Sequence, residues 1–155
     1  MRKQKIIALL LTLVFALGLV GCVFEDRQSQ VLDTLGNYEL KHFWTHGEFQ
    51  DYADFGCYHY ASVTLEENPY FRKASNQDIE TICGFLDNYE QWIETFRDND
   101  PEDALVQNYY FDRAVLDTQD YFYIYTDNSE HPYWNYDLWV FDSQTNVLYY
   151  FHNNI

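Results

Sequence analysis

The chain is 155 residues long, carries a formal net charge of −16, and one residue in five is aromatic. This length is that of a single domain. The aromatic content argues against intrinsic disorder, because disordered chains lack the apolar surface that offsets their ordering entropy. The excess of 25 Asp and Glu over 9 Lys and Arg argues against nucleic acid as a partner, since phosphate binding requires clustered cations.

Residues 1–21 predict a secretory signal peptide. Three basic residues near the start precede the apolar run 6–20, which is shorter than the ~20 residues needed to span a bilayer. The run ends in Leu-Val-Gly-Cys at residues 19–22, which resembles the lipobox of bacterial lipoproteins. In that family a peptidase cuts before the cysteine, and its thiol carries diacylglycerol. The resemblance implies lipidation of Cys22 and an anchor in the outer face of the bacterial cytoplasmic membrane; the alternative is an ordinary secreted protein with a chance cysteine.

The sequence after the signal peptide predicts a membrane-proximal tether followed by one domain. Residues 22–36 begin with a polar stretch and end in an apolar one that could form a short helix stopped by Gly36. Residues 37–155 are expected to form a single folded domain.

Residues 37–65 do not predict one type of secondary structure. Tyr52, Phe55 and Tyr58 recur at helical spacing, whereas Cys57 and His59 alternate as in a strand. Gly56 weakens the helical interpretation by about 1 kcal/mol. The segment is therefore left unassigned.

Two cysteines, Cys57 and Cys83, remain beyond the signal peptide. An extracytoplasmic location permits a disulfide between them. Two buried free thiols are the alternative, and the position of Cys83 on the apolar stripe of a predicted helix favours it. Both states stay open at this point.

The clearest predicted element is a helix over residues 76–97. Ser75 and Asp78 have the spacing of a capping box at its start, and the sequence Asp-Asn-Asp-Pro at 98–101 stops it. Its apolar stripe consists of Ile79, Ile82, Leu86, Tyr89, Ile93 and Phe96.

The last third of the chain predicts antiparallel strands at 120–127, 136–142 and 147–152, with a weaker one within 108–115. The fold class is therefore α+β, with one long helix packed on a C-terminal antiparallel sheet of three to four strands. Both faces of these strands are apolar or aromatic. One face can take the helix, and the other must be covered by residues 37–65 or by a ligand.

Aromatic side chains are the best candidates for a binding site. Trp134 lies in a loop after Pro132, and with Tyr133, Tyr136 and Trp44 it could form a stacking platform for sugars or apolar ligands. Burial in the core is the usual alternative for such residues.

Neither a metal site nor a cofactor site is predicted. His42 and His46 would share one face of a helix and could bind zinc there, but the Glu that follows the first histidine in metalloproteases is absent. The chain also lacks a nucleophile-elbow motif and a Gly-rich phosphate loop.

Three passages, KHFWTHGEFQDYADFG, FLDNYEQWIETF and YDLWVFDSQTNVLYYFHNN, resemble a group of small, uncharacterised proteins of Gram-positive bacteria, many of which carry lipoprotein signals. The group implies no activity, cofactor or catalytic residue, and it raises the expectation of a Gram-positive host.

The sequence thus favours a non-catalytic binding module at the cell envelope, held to the membrane by its lipid and recognising a glycan or protein ligand. The alternative is a surface hydrolase that acts on wall or nutrient polymers through paired carboxylates. That alternative predicts a cleft with two acids of raised pKa.

Overall fold

The structure, a computed structural model, describes residues 26–48 and 51–154. The predicted signal peptide and Cys22 lie outside these residues. The elements, in chain order, are α1 (Arg27–Asp33), β1 (Leu40–Glu48), β2 (Asp51–His59), β3 (Arg72–Lys73), α2 (Asn76–Asn99), α3 (Ala104–Asn108), a 3-10 turn (Arg113–Val115), β4 (Tyr121–Thr126), β5 (Asn135–Asp142) and β6 (Val147–Asn154).

The six strands form one sheet in the order β1-β2-β6-β5-β4-β3, and every neighbouring pair is antiparallel. The predicted α+β class with a long helix and an antiparallel sheet is confirmed. The predicted number of three to four strands is wrong, and so is the C-terminal location of the sheet. Three strands precede α2 and three follow it, because the unassigned segment forms the hairpin β1–β2.

The long helix α2 begins as predicted and extends two residues beyond the predicted end. The Ser75 hydroxyl accepts a hydrogen bond from the Asp78 backbone N–H (3.3 Å), and the Asp78 carboxylate accepts one from the Ser75 N–H (3.0 Å). This capping box satisfies two of the backbone donors that a helix start leaves free. The buried side chains are Ile82, Phe85, Leu86, Tyr89, Ile93 and Phe96.

Gly56 lies in the middle of β2, where a side chain would not fit. A Cβ atom there would lie 2.9 Å from the Tyr58 ring and 3.1 Å from the Phe43 ring. The glycine therefore allows aromatic side chains to pack over the strand backbone, rather than marking a weak helix.

One face of the sheet, the helix face, packs against α2. It carries a cross-strand row in which Phe55, Phe151 and Leu138 lie opposite one another. The Tyr89 ring of α2 lies 5.4 Å from the Phe151 ring, and its hydroxyl donates to the backbone carbonyl of Asp54 at 2.8 Å. The Tyr89 ring is thus buried against the sheet while its hydroxyl keeps a hydrogen-bond partner.

The opposite face, the distal face, carries Gly56, Tyr150, Trp139 and Tyr123 in a matching row. In this register Trp139 and Phe141 share the distal face of β5. Part of the distal face is covered by the segments around Tyr38, Tyr60 and Phe71.

These segments contact the distal face through aromatic rings. Ring centroids are 5.3 Å apart for Tyr38 and Tyr58, 6.3 Å for Tyr60 and Phe141, and 5.2 Å for Tyr70 and Tyr123. Residues between β2 and β3, together with Tyr38, thus supply part of the cover that a two-sided apolar sheet requires.

The short helix α1 begins after Asp26, whose carboxylate accepts from the Ser29 N–H at 2.7 Å. Gly36 follows it with a φ of +79°, the left-handed conformation that favours glycine after a helix. Within the described residues, every helix is too short or too polar to cross a bilayer.

Candidate functional site

The four predicted stacking residues are not brought together in one platform. Tyr136 is fully buried on β5, and its hydroxyl donates to the Phe85 carbonyl of α2 at 3.1 Å. Trp44 lies on the edge strand β1, three strands away from β5 in the sheet. Only Tyr133 and Trp134 are neighbours, in the turn that leads into β5, and they line different cavities.

Trp134 is the most exposed tryptophan among the described residues, with 58% of its surface accessible. Its indole stacks on the His131 ring, with ring centroids 4.1 Å apart and planes 10° apart. The Asn128 side chain accepts from the backbone N–H groups of Glu130 and His131, which fixes this turn. The indole is thus held in place while one of its faces stays open to solvent.

A cavity of about 410 Å³ lies beside Trp134. Its other lining residues are all polar: Asp127, Asn128, Asn135 and Asn154. The Asn135 amide donates to the Asp127 carboxylate at 2.9 Å, so that these two side chains are oriented by each other. Amides supply both donors and acceptors, and the carboxylate supplies acceptors.

Tyr133 points toward the long helix instead. Its ring contacts the Phe85 ring at 4.8 Å, and its backbone carbonyl accepts from the buried Asn153 amide at 3.2 Å. The tyrosine anchors the turn that carries Trp134, so its role at the site is positional.

Trp44 lines a separate, smaller cavity of about 210 Å³ on the helix face, with His42, Cys57 and His59. The His42 ring stacks on Trp44. Cys57 and Cys83 are both free cysteines in the structure, rather than joined in the disulfide that the sequence left open. Burial raises the pKa of the Cys57 thiol to about 12, so that this thiol is protonated and a poor nucleophile at neutral pH.

His42 and His46 lie on a strand, which separates them by about 14 Å instead of placing them one helical turn apart. His46 stacks on Phe96 at 3.8 Å and lies 3.0 Å from the Asp103 carboxylate. Residues 26–48 and 51–154 contain no group of three His, Cys, Asp or Glu side chains arranged to hold a metal ion.

A second group of polar residues crosses the distal face in register. This polar row consists of Thr45, Asp54, His152, Asp137 and Tyr125, on the strands β1, β2, β6, β5 and β4. His152 Nδ1 lies 2.7 Å from Asp137 Oδ1, and the Tyr150 hydroxyl donates to the same oxygen at 2.8 Å. Asp137 therefore orients the imidazole.

Asp54 lies on the other side of His152 in this row. Burial raises the pKa of its carboxyl group, and a hydrogen bond from Thr45 and the charge of His152 oppose this rise. Three buried polar atoms of this region have no hydrogen-bond partner: Asp54 Oδ1, His152 Nε2 and Trp139 Nε1. Such atoms are rare in folded proteins, because each one loses its hydration without compensation.

The sequence interpretation did not single out the polar row. One signal was present: Asp137 shares its strand phase with Trp139 and Phe141, so the chain places a carboxylate among apolar positions of one face. The partners Asp54 and His152 are remote in sequence, and only the order of the strands brings them together.

Three searches, against protein-family models, curated proteins and solved structures, gave no match to this chain.

Proposed function

We propose that the chain is a non-catalytic glycan-binding module of the bacterial cell envelope, and that it binds its ligand at the Trp134 cavity. The observation that carries the proposal is an exposed, immobilised indole beside four polar side chains. A sugar ring has an apolar face that stacks on an aromatic side chain and a rim of hydroxyls that needs both donors and acceptors.

The side chains of the site are already ordered before a ligand binds. The indole is already stacked on His131, and Asn135 is already held by Asp127. Less side-chain entropy is therefore lost when a ligand binds. The cavity of about 410 Å³ falls within the range of small-ligand sites.

The lipobox-like segment ending in Cys22 supports a membrane-anchored location on the outer surface, most naturally in a Gram-positive host. An acidic chain would be repelled by an anionic membrane surface, so that the lipid would supply the attachment. Mass spectrometry of the chain recovered from the envelope tests this: we expect a diacylglycerol-modified Cys22 at the mature N-terminus, and a Cys22→Ser variant released from the membrane fraction.

Binding is tested with the full chain and muramidase-solubilised cell-wall glycans, followed by tryptophan fluorescence and calorimetry. We expect Trp134→Ala to weaken binding by about tenfold or more, because loss of one stacking ring removes more than ~1.4 kcal/mol. Tyr110→Ala is the matched control, since Tyr110 is 75% exposed and lines the other cavity, beside Trp44. Equal affinities for Trp134→Ala and the unmodified chain would refute the proposed site.

A hydrolase acting through paired carboxylates is the second candidate, and the polar row is the observation that favours it. Asp54 and Asp137 flank His152 in register, and burial raises the pKa of Asp54. Incubation of the chain with the same glycans and analysis of reducing ends separates the two candidates. New reducing ends that disappear in Asp54→Asn would establish hydrolysis and remove the non-catalytic proposal.

A further inference from the structure

We infer that the cavity beside Trp44 binds a small aromatic carboxylate, whose ring packs in the cavity and whose carboxylate accepts hydrogen bonds from His42 and His59. The cavity lies on the helix face and shares no lining residue with the Trp134 cavity, so the inference does not depend on the proposed function. Its volume is about 210 Å³, and a cavity of about 150 Å³ already accepts a benzene ring. There is therefore room for one substituted aromatic ring.

The first argument is that this part of the helix face is open. The described residues that line the cavity belong to β1, β2, β6, the end of α3 and the segment after it, and not to the long helix α2. Trp44, Cys57 and Tyr149 are each only partly buried, and Tyr110 at the rim is 75% exposed. Exposed aromatic surface of this kind marks ligand-binding grooves and interaction sites.

The second argument is the arrangement of the rings. The His42 ring lies 5.8 Å from the Trp44 ring with planes 6° apart, and the Trp44 ring lies 5.9 Å from the Phe55 ring with planes 14° apart. Three neighbouring rings are thus nearly parallel. Tyr149 is held beside them by an edge-to-face contact with Phe111 at 4.9 Å. Because these rings are already ordered, a flat ligand ring can pack against them with little loss of side-chain entropy.

The third argument is charge. The described residues that line this cavity include no Asp or Glu, although the chain has 25 of them. The cavity beside Trp134 contains Asp127. The groove beside Tyr133, with a volume of about 490 Å³, contains three acids: Asp87, Glu90 and Glu94. An anionic ligand would meet carboxylates in both of those sites, whereas the lining of the Trp44 cavity does not repel it.

The ionisable groups on the floor of the cavity are uncharged at neutral pH. Cys57 lies opposite His42 on one side and opposite Tyr149 on the other. Burial raises the pKa of the Cys57 thiol and that of the Tyr149 hydroxyl to about 12. The charges of Asp142 and Asp112 add to the rise for Tyr149, so these two carboxylates act at the β6 end of the cavity. The carboxylate of a ligand is therefore expected at the β1 end, beside His42.

His42 and His59 supply the hydrogen-bond donors at that end. Their ring centroids are 6.2 Å apart, which allows one carboxylate to contact both rings. Among the described residues, neither imidazole has a hydrogen-bond or ion-pair partner, whereas His46 is paired with Asp103. An imidazole carries at least one N–H in either protonation state, and a hydrogen bond to an ionised acceptor is roughly twice as strong as a neutral one. Both rings are therefore available to a ligand carboxylate.

The experiment compares three probes that share one ring: 4-hydroxyphenylacetate, tyrosol and tyramine. At about pH 7 their side groups are a carboxylate, a neutral hydroxyl and an ammonium group. Affinities are measured by NMR titration of the full chain, and we expect the acid to bind about tenfold more tightly than the amine, with the alcohol between them.

Two variants test the source of that preference. His42→Phe combined with His59→Phe keeps both rings and removes their nitrogens, and should reduce the preference for the acid to less than about twofold. The control Lys41→Gln removes a cation whose Nζ lies over the Phe43 ring, on the distal side of the same strand, and should retain the preference.

The indole N–H resonances locate the ligand in the unmodified chain. The acid should shift the Nε1–H resonance of Trp44 and leave that of Trp134 unchanged. Tyr110→Ala, which removes the ring at the rim, should weaken binding of all three probes by about threefold or more. The inference is overturned if no probe binds, if the acid is not preferred over the amine, if the double variant keeps the preference, or if only the Trp134 resonance shifts.

Discussion

The two faces of the sheet differ in how they treat polar groups. On the helix face, the hydroxyls of Tyr89 and Tyr136 both reach backbone carbonyls, and the remaining side chains form an apolar core. On the distal face, Asp54 and His152 each keep a buried atom without a partner. Asn153 Oδ1 on the helix face is also buried without a partner. The faces therefore differ in composition: the helix face is mainly apolar, whereas the distal face gathers Asp54, His152 and Asp137 in one row.

The largest loss of stability should follow a substitution that creates a cavity in the core on the helix face. Phe151 is fully buried, and its ring lies within 5.4 Å of the rings of Phe55, Tyr89 and Phe111. We expect Phe151→Ala to lower the free energy of unfolding by about 3–5 kcal/mol, measured by urea denaturation. A loss below about 1 kcal/mol would show that this face is not the main core.

A smaller effect should follow removal of the hydroxyl that links the two faces. Tyr89 on the helix face donates to the carbonyl of Asp54, whose side chain belongs to the distal face. Tyr89→Phe leaves that carbonyl without its donor, and we expect a loss of about 1–2 kcal/mol in the same assay. Phe96→Leu, a conservative change on the same helix, controls for altered packing of α2.

On the distal face, removal of a charge should stabilise the fold. Burial raises the pKa of Asp54 above its ordinary value of 3.8, so the folded chain binds this proton more tightly than the unfolded chain. Stability therefore falls as pH rises from 3.8 through the raised pKa. We expect Asp54→Asn to raise the free energy of unfolding by about 1 kcal/mol at neutral pH.

The pH dependence of that change is its control. Below pH 3.8 Asp54 is protonated in both folded and unfolded chains, and the advantage of Asp54→Asn should disappear. A variant that is destabilised at neutral pH would mean that the Thr45 hydrogen bond outweighs the cost of burial, and that the distal face is as well compensated as the helix face.

The smallest effect on stability should come from Trp134, although its effect on binding should be large. The side chain is 58% exposed and lies outside the core. We expect Trp134→Ala to change the free energy of unfolding by less than about 0.5 kcal/mol, measured by thermal denaturation. A larger loss would show that stacking on His131 is structural, and would weaken the assignment of a binding role.

The sequence predicted the elements whose signals are local. The helix at Asn76–Asn99 has a capping box and a full apolar stripe, and the strands β4 to β6 are marked by aromatic residues and a short turn. The hairpin β1–β2 was not assigned, because Tyr52, Phe55 and Tyr58 fit a helix as well as a strand. The close contact of Gly56 with Phe43, which decides the matter, is a tertiary interaction.

The candidate site was predicted only where exposure follows from local sequence. Trp134 comes after a proline in a loop, and the structure leaves it exposed. Tyr136 lies two residues further on and is buried, because β5 has begun and turns this side chain toward α2. The polar row depends on the placement of β6 between β2 and β5, and no local pattern reveals a strand order.

The central place of β6 has a consequence for how the chain folds. On the edge away from β1, residues 52–59 of β2 pair with residues 147–154, about a hundred residues later along the chain. Closing so long a loop carries a large entropic cost before any pairing repays it. We therefore expect the sheet to close slowly and late. Until it closes, the edge of β2 that later pairs with β6 stays unpaired. During this interval an early-formed strand edge is open to pairing with other chains.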